Sequence, residues 1–193
     1  QDIGTFRRRF PGVVLSLRVR ADHSTVDKVV DFVRAQVDAV HIDYDDDGND
    51  HAAAARSHCG KSLRLIHERL VSHSLRDNIT ILAGGGVAAS EHVPKMVISG
   101  ADVVVLDKSL MVALECRACS KCSVDSCSID IKSAKAEWAE GRVTNLVGAW
   151  RDQLLEVLGA MGIREVRRLR GEFGRAIFLE DLEQEMPPEL REG

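Results

Sequence analysis

The sequence predicts an α/β fold built on a parallel sheet, and two observations carry the prediction. Through residues 1–115, strand-like apolar runs alternate with helix-period segments in the order βαβαβαβα. Four such units call for parallel strands joined by right-handed crossovers. The second observation is that a glycine run, Gly84-Gly85-Gly86, follows the third strand rather than the first. A dinucleotide-binding open sheet carries G-x-G-x-x-G after its first strand, with an acidic residue about 20 positions on, and "AGGGVAAS" lacks that spacing. In a (β/α)8 barrel, by contrast, the loops after the last two strands form a phosphate site. If these units are strands five to eight of a barrel, "AGGG" and "LDKS" stand where a phosphate would sit.

The elements follow in order. "GVVLSLRV" (12–19) alternates like a strand, and Thr25 to Val37 then carries apolar residues at 26, 29, 30, 33 and 37, a helical stripe. "VDAVHIDY" (37–44) is the second strand, followed by a helix about Leu63 to Leu75. "NITILAGGG" (78–86), a helix about Ser90 to Ser99 and "ADVVVLD" (101–107) complete the sheet, and a helix from Ser109 leads into the cysteines. Beyond them, "VTNLVGAWRDQLLEVLGAMG" (143–162) has an apolar face wide enough to bury, with Gly159 and Gly162 as places to end. Shorter helices are expected around Arg164 to Arg170 and Leu179 to Glu185, with Pro187-Pro188 closing the ordered region. The chain thus divides into a strand-and-helix part (1–115), a cysteine-rich loop (116–131) and a helical segment (132–193).

With 193 residues, 45% hydrophobic and 29% charged, the chain suits one sizeable soluble domain, or two by length alone. The longest apolar run, Leu110 to Leu114, falls far short of the roughly 20 residues of a membrane span. No basic-apolar-small signal segment opens the chain, so the cytoplasm is the default location. A net charge of -4 and a pI near 6.0 give no general drive toward nucleic acid. The basic stretches Arg7-Arg8-Arg9 and Arg164 to Arg170 are expected to be solvated helix faces.

Four of the five cysteines, Cys116, Cys119, Cys122 and Cys127, lie within "ECRACSKCSVDSC". Such crowding makes a poor disulfide framework, because small adjacent loops strain the bridges, whereas short spacing marks a metal or cluster site. Thiolates are soft, strongly donating ligands for iron. Four of them also suit structural zinc, although zinc sites usually split their ligands into two pairs. Cys59, beside Gly60, reads as an ordinary residue.

The stretch "GADVVVLDKSLMVALECRACSKCSVDSC" resembles the flavin domain of the glutamate synthase family. There the last barrel strand runs from G-A-D into a short helix ending in L-G-C, followed by a C-x5-C-x4-C cluster motif. Cys116, Cys122 and Cys127 reproduce that spacing without a gap. "LRDNITILAGGGVAASEHV" is similar to the family's L-R-D, strand and glycine pair, in the form of its shorter, archaeal-type members. The resemblance is strongest from residue 75 to 175. It implies an α/β fold that is the C-terminal half of a (β/α)8 TIM barrel, followed by a cluster loop and C-terminal helices. It also implies FMN at the C-terminal face and a [3Fe-4S] cluster delivering electrons to it, for reductive amination of 2-oxoglutarate to glutamate. Cys119 is extra to the pattern, and is either the fourth ligand of a [4Fe-4S] cluster or a neighbouring thiol.

What the resemblance implies for single residues is specific. Arg18 takes the place of a flavin-side lysine in the fifth strand and is the candidate catalytic group. Gly84, Gly85, Gly86, Lys108 and Ser109 are the candidate flavin contacts, although the family's G-T has become Asp107-Lys108. The family's glycine loop after the sixth strand is replaced by "DYDDDGND", with Asp43, Asp45, Asp46, Asp47 and Asp50, which would repel an anionic ligand; it reads as a solvated acidic turn or, alternatively, a cation site. His67, placed like the family's E-T-H histidine, reads as a packing residue or a catalyst. Two roles follow: an FMN oxidoreductase, or a flavin-free electron-transfer or assembly subunit. In both, strands one to four come from elsewhere, since a half barrel leaves two raw sheet edges, and a redox partner subunit is expected.

Overall fold

Strands β1 (Ser16–Arg20), β2 (Ala39–Asp43), β3 (Thr80–Gly84) and β4 (Val103–Val105) pair in parallel and in chain order. The computed structural model describes residues 3–52, 56–117 and 134–175. Helices α2 (Thr25–Arg34), α3 (Cys59–Ser72) and α4 (His92–Ile98) form the crossovers, and α5 (Lys108–Ala113) follows the last strand. A helix α1 (Ile3–Arg9) precedes the sheet, and the long α6 (Ala136–Ala160) lies beyond the cysteine loop. A sheet whose spatial order equals its chain order, with helices in every crossover, is the segment a (β/α)8 barrel is made of.

The strand period of two sorts side chains onto two faces. On one face Val19, Val40, Ile42, Ile81, Ala83 and Val104 meet Val29, Val30 and Val33 of α2 and Leu63, Ile66 and Leu70 of α3 in the main core. Each fully buried aliphatic side chain here is worth about 1.5–3 kcal/mol. The other face, which a complete barrel would enclose, carries the aligned row Arg18, His41, Leu82, Val103 and above it Arg20, Asp43, Gly84, Val105. Arg18, Arg20 and Val103 on this face are exposed.

The "LRD" and "GAD" segments meet at the N-terminal ends of the strands. Arg76 is buried, and its Nη2 donates to Gly100 O and Asp102 Oδ2, both at 2.8 Å, while Nη1 donates to Ile79 O at 3.1 Å. Asp102 also accepts from Ile81 N–H at 2.8 Å and from Arg170 Nη1. One guanidinium and one carboxylate thereby fix the turns into β3 and β4 and tie down the end of the described chain. His67 belongs to this end: its Nδ1 accepts from Arg76 Nε, its ring meets Phe173 edge-on, and Gly100 and Gly171 leave room for it. It packs there, at the opposite end of the strands from the glycine turn. A second, smaller core of Val97, Ile98, Leu158, Ile163 and Leu169 seats the C-terminal segment on α4.

Several expectations change. Arg7 does not lie on a solvated face: its guanidinium pairs with Asp38 and donates to Val13 O and Gln36 O, so α1 is anchored by a side chain reading only as charge in the sequence. Arg170 is likewise held by Asp102 and Asp77, and the segment around it is a single 3-10 turn, Val166–Leu169, rather than an α-helix. Helix α6 begins at Ala136, well before Val143, and runs through Gly141 and Gly148. The helix expected at 179–185 lies outside the described residues. No helix among the described residues is long and apolar enough to cross a membrane.

Candidate functional site

At the C-terminal ends of the strands three turns converge. The turn after β3 contains Gly85 at φ +104 and Gly86 at φ +69, both in the region that favours glycine. A Cβ on Gly85 would stand 2.3 Å from Tyr44 O, and one on Gly86 2.5 Å from Gly48 Cα. The glycines therefore serve a close approach of backbone to backbone, letting the acidic loop after β2 lie across the β3 turn. Gly84, the end of the strand, abuts His41 Nε2 and the Val105 side chain.

That acidic loop is folded by its own aspartates. Asp45 Oδ1 accepts from Asp47 N–H at 2.9 Å and Asn49 N–H at 2.8 Å, and its carboxylate pairs with Arg56. Asp50 is buried and accepts from Ala52 N–H, while Tyr44 donates to Ser62 Oγ at 3.1 Å beneath the loop. A freely solvated turn does not describe it. Among the described residues, no group of three His, Cys, Asp or Glu side chains is placed to hold a metal ion.

Lys108 and Ser109, the other candidate flavin contacts, open α5. Lys108 Nζ lies 2.8 Å from Asp46 Oδ2, a bridge from the β4 turn to the acidic loop. Asp107 caps α5, its carboxylate accepting from Lys108 N–H. Ser109 is 2% exposed, and its Oγ has no hydrogen-bond partner among the described residues. A flavin phosphate needs close backbone approach, a free cation and an open helix start. The glycine turn and the orphaned Ser109 Oγ match such a ligand, but the cation is paired and the helix start is taken by a carboxylate. With the Asp46 and Asp107 carboxylates in those two places, the phosphate of FMN does not fit.

Arg18 lies on β1 with its side chain 66% exposed, Nη2 donating to Asp43 Oδ1 at 2.8 Å. Its neighbour in the row, His41, was not singled out from the sequence. Burial, with Arg18 adding to it, holds the imidazole below the usual histidine value against the pull of Asp43 and Asp107. His41 is thus a neutral ring whose buried Nε2 finds no partner among the described residues. The alternation of "VHID", with Val40 and Ile42 turned to the core, was the available signal that His41 and Asp43 share the open face.

Of the four clustered cysteines, Cys116 is described; Cys119, Cys122 and Cys127 lie outside the described residues. Cys116 is half-buried, its N–H bonded to Met111 O at 2.9 Å as the chain leaves α5. The turn into it places Glu115 at φ +67, where the related motif has glycine. Glu115→Gly is expected to raise stability by about 0.5–1 kcal/mol by removing left-handed strain, measured as a higher urea midpoint at unchanged slope. Cys59 is buried at the start of α3, its N–H bonded to Gly48 O, a packing position under the acidic loop.

Comparison with known proteins agrees with the fold. A family model described as the conserved region in glutamate synthase matches residues 3–164. The chain is 33% identical to the archaeal glutamate synthase [NADPH] of Methanocaldococcus jannaschii over 168 residues, covering 80% of this chain and 33% of that protein. It is 32% identical to the corresponding protein of Archaeoglobus fulgidus over 187 residues, covering 89% and 37%. The chain spans about a third of the length of these curated relatives. Among solved structures, a double mutant of flavocytochrome b2 with pyruvate bound superposes with a TM-score of 0.63 at 15% identity, covering 96% of this chain and 39% of that one. At such identity the likeness shows the fold, a partial barrel.

Proposed function

The chain belongs to the glutamate synthase family, and from that premise we propose that it acts as the cluster-bearing second half of a glutamate synthase-type oxidoreductase barrel. Cys116, Cys122 and Cys127 hold an iron–sulfur cluster, with Cys119 as a fourth ligand if it is [4Fe-4S] and a free neighbour if it is [3Fe-4S]. The observation that supports this most is the family match itself, whose range, residues 3–164, includes β4, α5 and the cysteine loop. The donor set suits iron: four thiolates in one short loop wrap a cluster with no long-range chain closure. In the whole protein the reaction is reductive amination of 2-oxoglutarate to glutamate or a related reduction, for which this chain carries electrons.

The open face needs closing. Its exposed Arg18, Arg20 and Val103 and the unpaired outer edges of β1 and β4 call for four further strands, from additional sequence, another chain or a second copy. A redox partner subunit supplies or receives the electrons. Because the phosphate does not fit at the strand ends, no step passes through FMN on this reading. A second reading, in which FMN is bound, is favoured by the Gly85-Gly86 turn and the orphaned Ser109 Oγ.

Anaerobic purification separates these readings. A brown protein with broad visible absorbance and about three to four irons per chain, lost in Cys116→Ser, is the expected result. Resolved flavin bands on top of that absorbance favour the second reading. A colourless protein with stoichiometric zinc overturns both.

A further inference from the structure

The strand ends keep the shape of an anion cradle while its charge has been inverted from within. The turn Gly85-Gly86 brings backbone close, Ser109 Oγ is buried with no partner among the described residues, and Lys108 stands at the rim. These are the parts a phosphate uses at the end of a barrel. Lys108 is answered twice by the chain: Asp46 takes its ammonium at 2.8 Å, and Asp107 takes its backbone N–H at the start of α5.

We propose that Asp46 and Asp107 act as built-in occupants of this cradle, so that the chain excludes phosphorylated ligands there, and that neutralising the two opens it to a phosphate. The two contacts differ in strength. The Lys108–Asp46 pair is largely exposed and contributes little as an ion pair, so it yields readily; its main effect is to cancel the cation. Asp107 acts by repulsion, because a phosphate dianion approaching the first turn of α5 would meet this exposed carboxylate at short range, and like charges a few ångströms apart repel. The acidic loop is kept over the cradle by the same glycines that shape it, since any side chain at Gly85 would strike Tyr44 O. Occlusion and cradle are therefore one structure. This inference deepens the family reading and rests on it only for the identity of the excluded ligand, a phosphorylated flavin.

The test compares FMN with riboflavin, which differ by the phosphate alone, on the full chain. Asp46→Asn and Asp107→Asn remove both charges, and asparagine caps a helix as well as aspartate does, so α5 keeps its cap; circular dichroism melts confirm the fold. The wild type is expected to bind FMN no more tightly than riboflavin in fluorescence titrations. In the double variant the FMN-over-riboflavin ratio should rise at least tenfold, and inorganic phosphate should compete with the FMN. A wild-type preference for FMN of tenfold or more overturns the proposal, as does a double variant with an unchanged ratio or no FMN binding. Iron content is measured on the same samples. Iron present without the gain defeats this inference and leaves the family role standing, and a gain without iron does the reverse.

Discussion

Arg76→Ala is expected to lower folding stability by about 3–5 kcal/mol, because it removes one member of a buried ion pair and leaves the other. Urea denaturation of the full chain measures it. Four acceptors lose a donor at once, Gly100 O, Ile79 O, His67 Nδ1 and Asp102, the last keeping only Arg170 and the Ile81 N–H. The pH dependence gives a second signature. Burial alone would raise the Asp102 carboxyl, but the Ile81 N–H, Arg76 and Arg170 outweigh it and hold the group below the usual carboxylate range. A depressed folded value means that the stabilisation is complete above about pH 4, the unfolded value, and is lost as pH falls through the folded value. Without Arg76 the carboxyl rises, so the gap between wild type and variant should narrow as the pH drops below about 4. A constant gap would assign the loss to packing instead.

Gly85→Ala should cost more than about 2 kcal/mol, from left-handed strain and backbone overlap together. At φ +104, with the added carbon 2.3 Å from Tyr44 O, alanine forces the turn away from the acidic loop. Gly148→Ala in α6, where nothing lies within 4 Å of the added carbon, should instead gain about 0.5–1 kcal/mol of helix propensity. Measured with no ligand present, the contrast shows that Gly85 serves the fold of the acidic loop. Equal effects at the two positions would refute that role.

The four strands were legible as short apolar runs between helix-period segments, with strict alternation in β1 and β2. Val40, Ile42, Ile81 and Ala83 fall to the core wherever the period of two is counted. The glycine turn was legible too, though not its reason, since the atom that forbids a side chain at Gly85 belongs to Tyr44. Long-range partners were the blind spot. Arg7 reads as one of three like charges, and only folding shows it reaching Asp38 across 31 positions. Lys108 reads as a free cation until the loop carrying Asp46 lies beside it. His41 was hidden for another reason: a lone histidine in an apolar run carries no spacing motif, and its chemistry lies in the row it shares with Arg18.

The strand order has a consequence for how the molecule is made. Because β1, β2, β3 and β4 neighbour one another as they follow in the chain, each strand and its helix can dock on the unit synthesised just before, with no strand left to be inserted between two others later. Growth on the ribosome would then be templated, every new strand finding a waiting edge. The Arg76–Asp102 pair forms only when β4 arrives, and the bond from Arg170 later still. The clamp thus acts as a terminal lock, closing after the sheet it secures has been laid down.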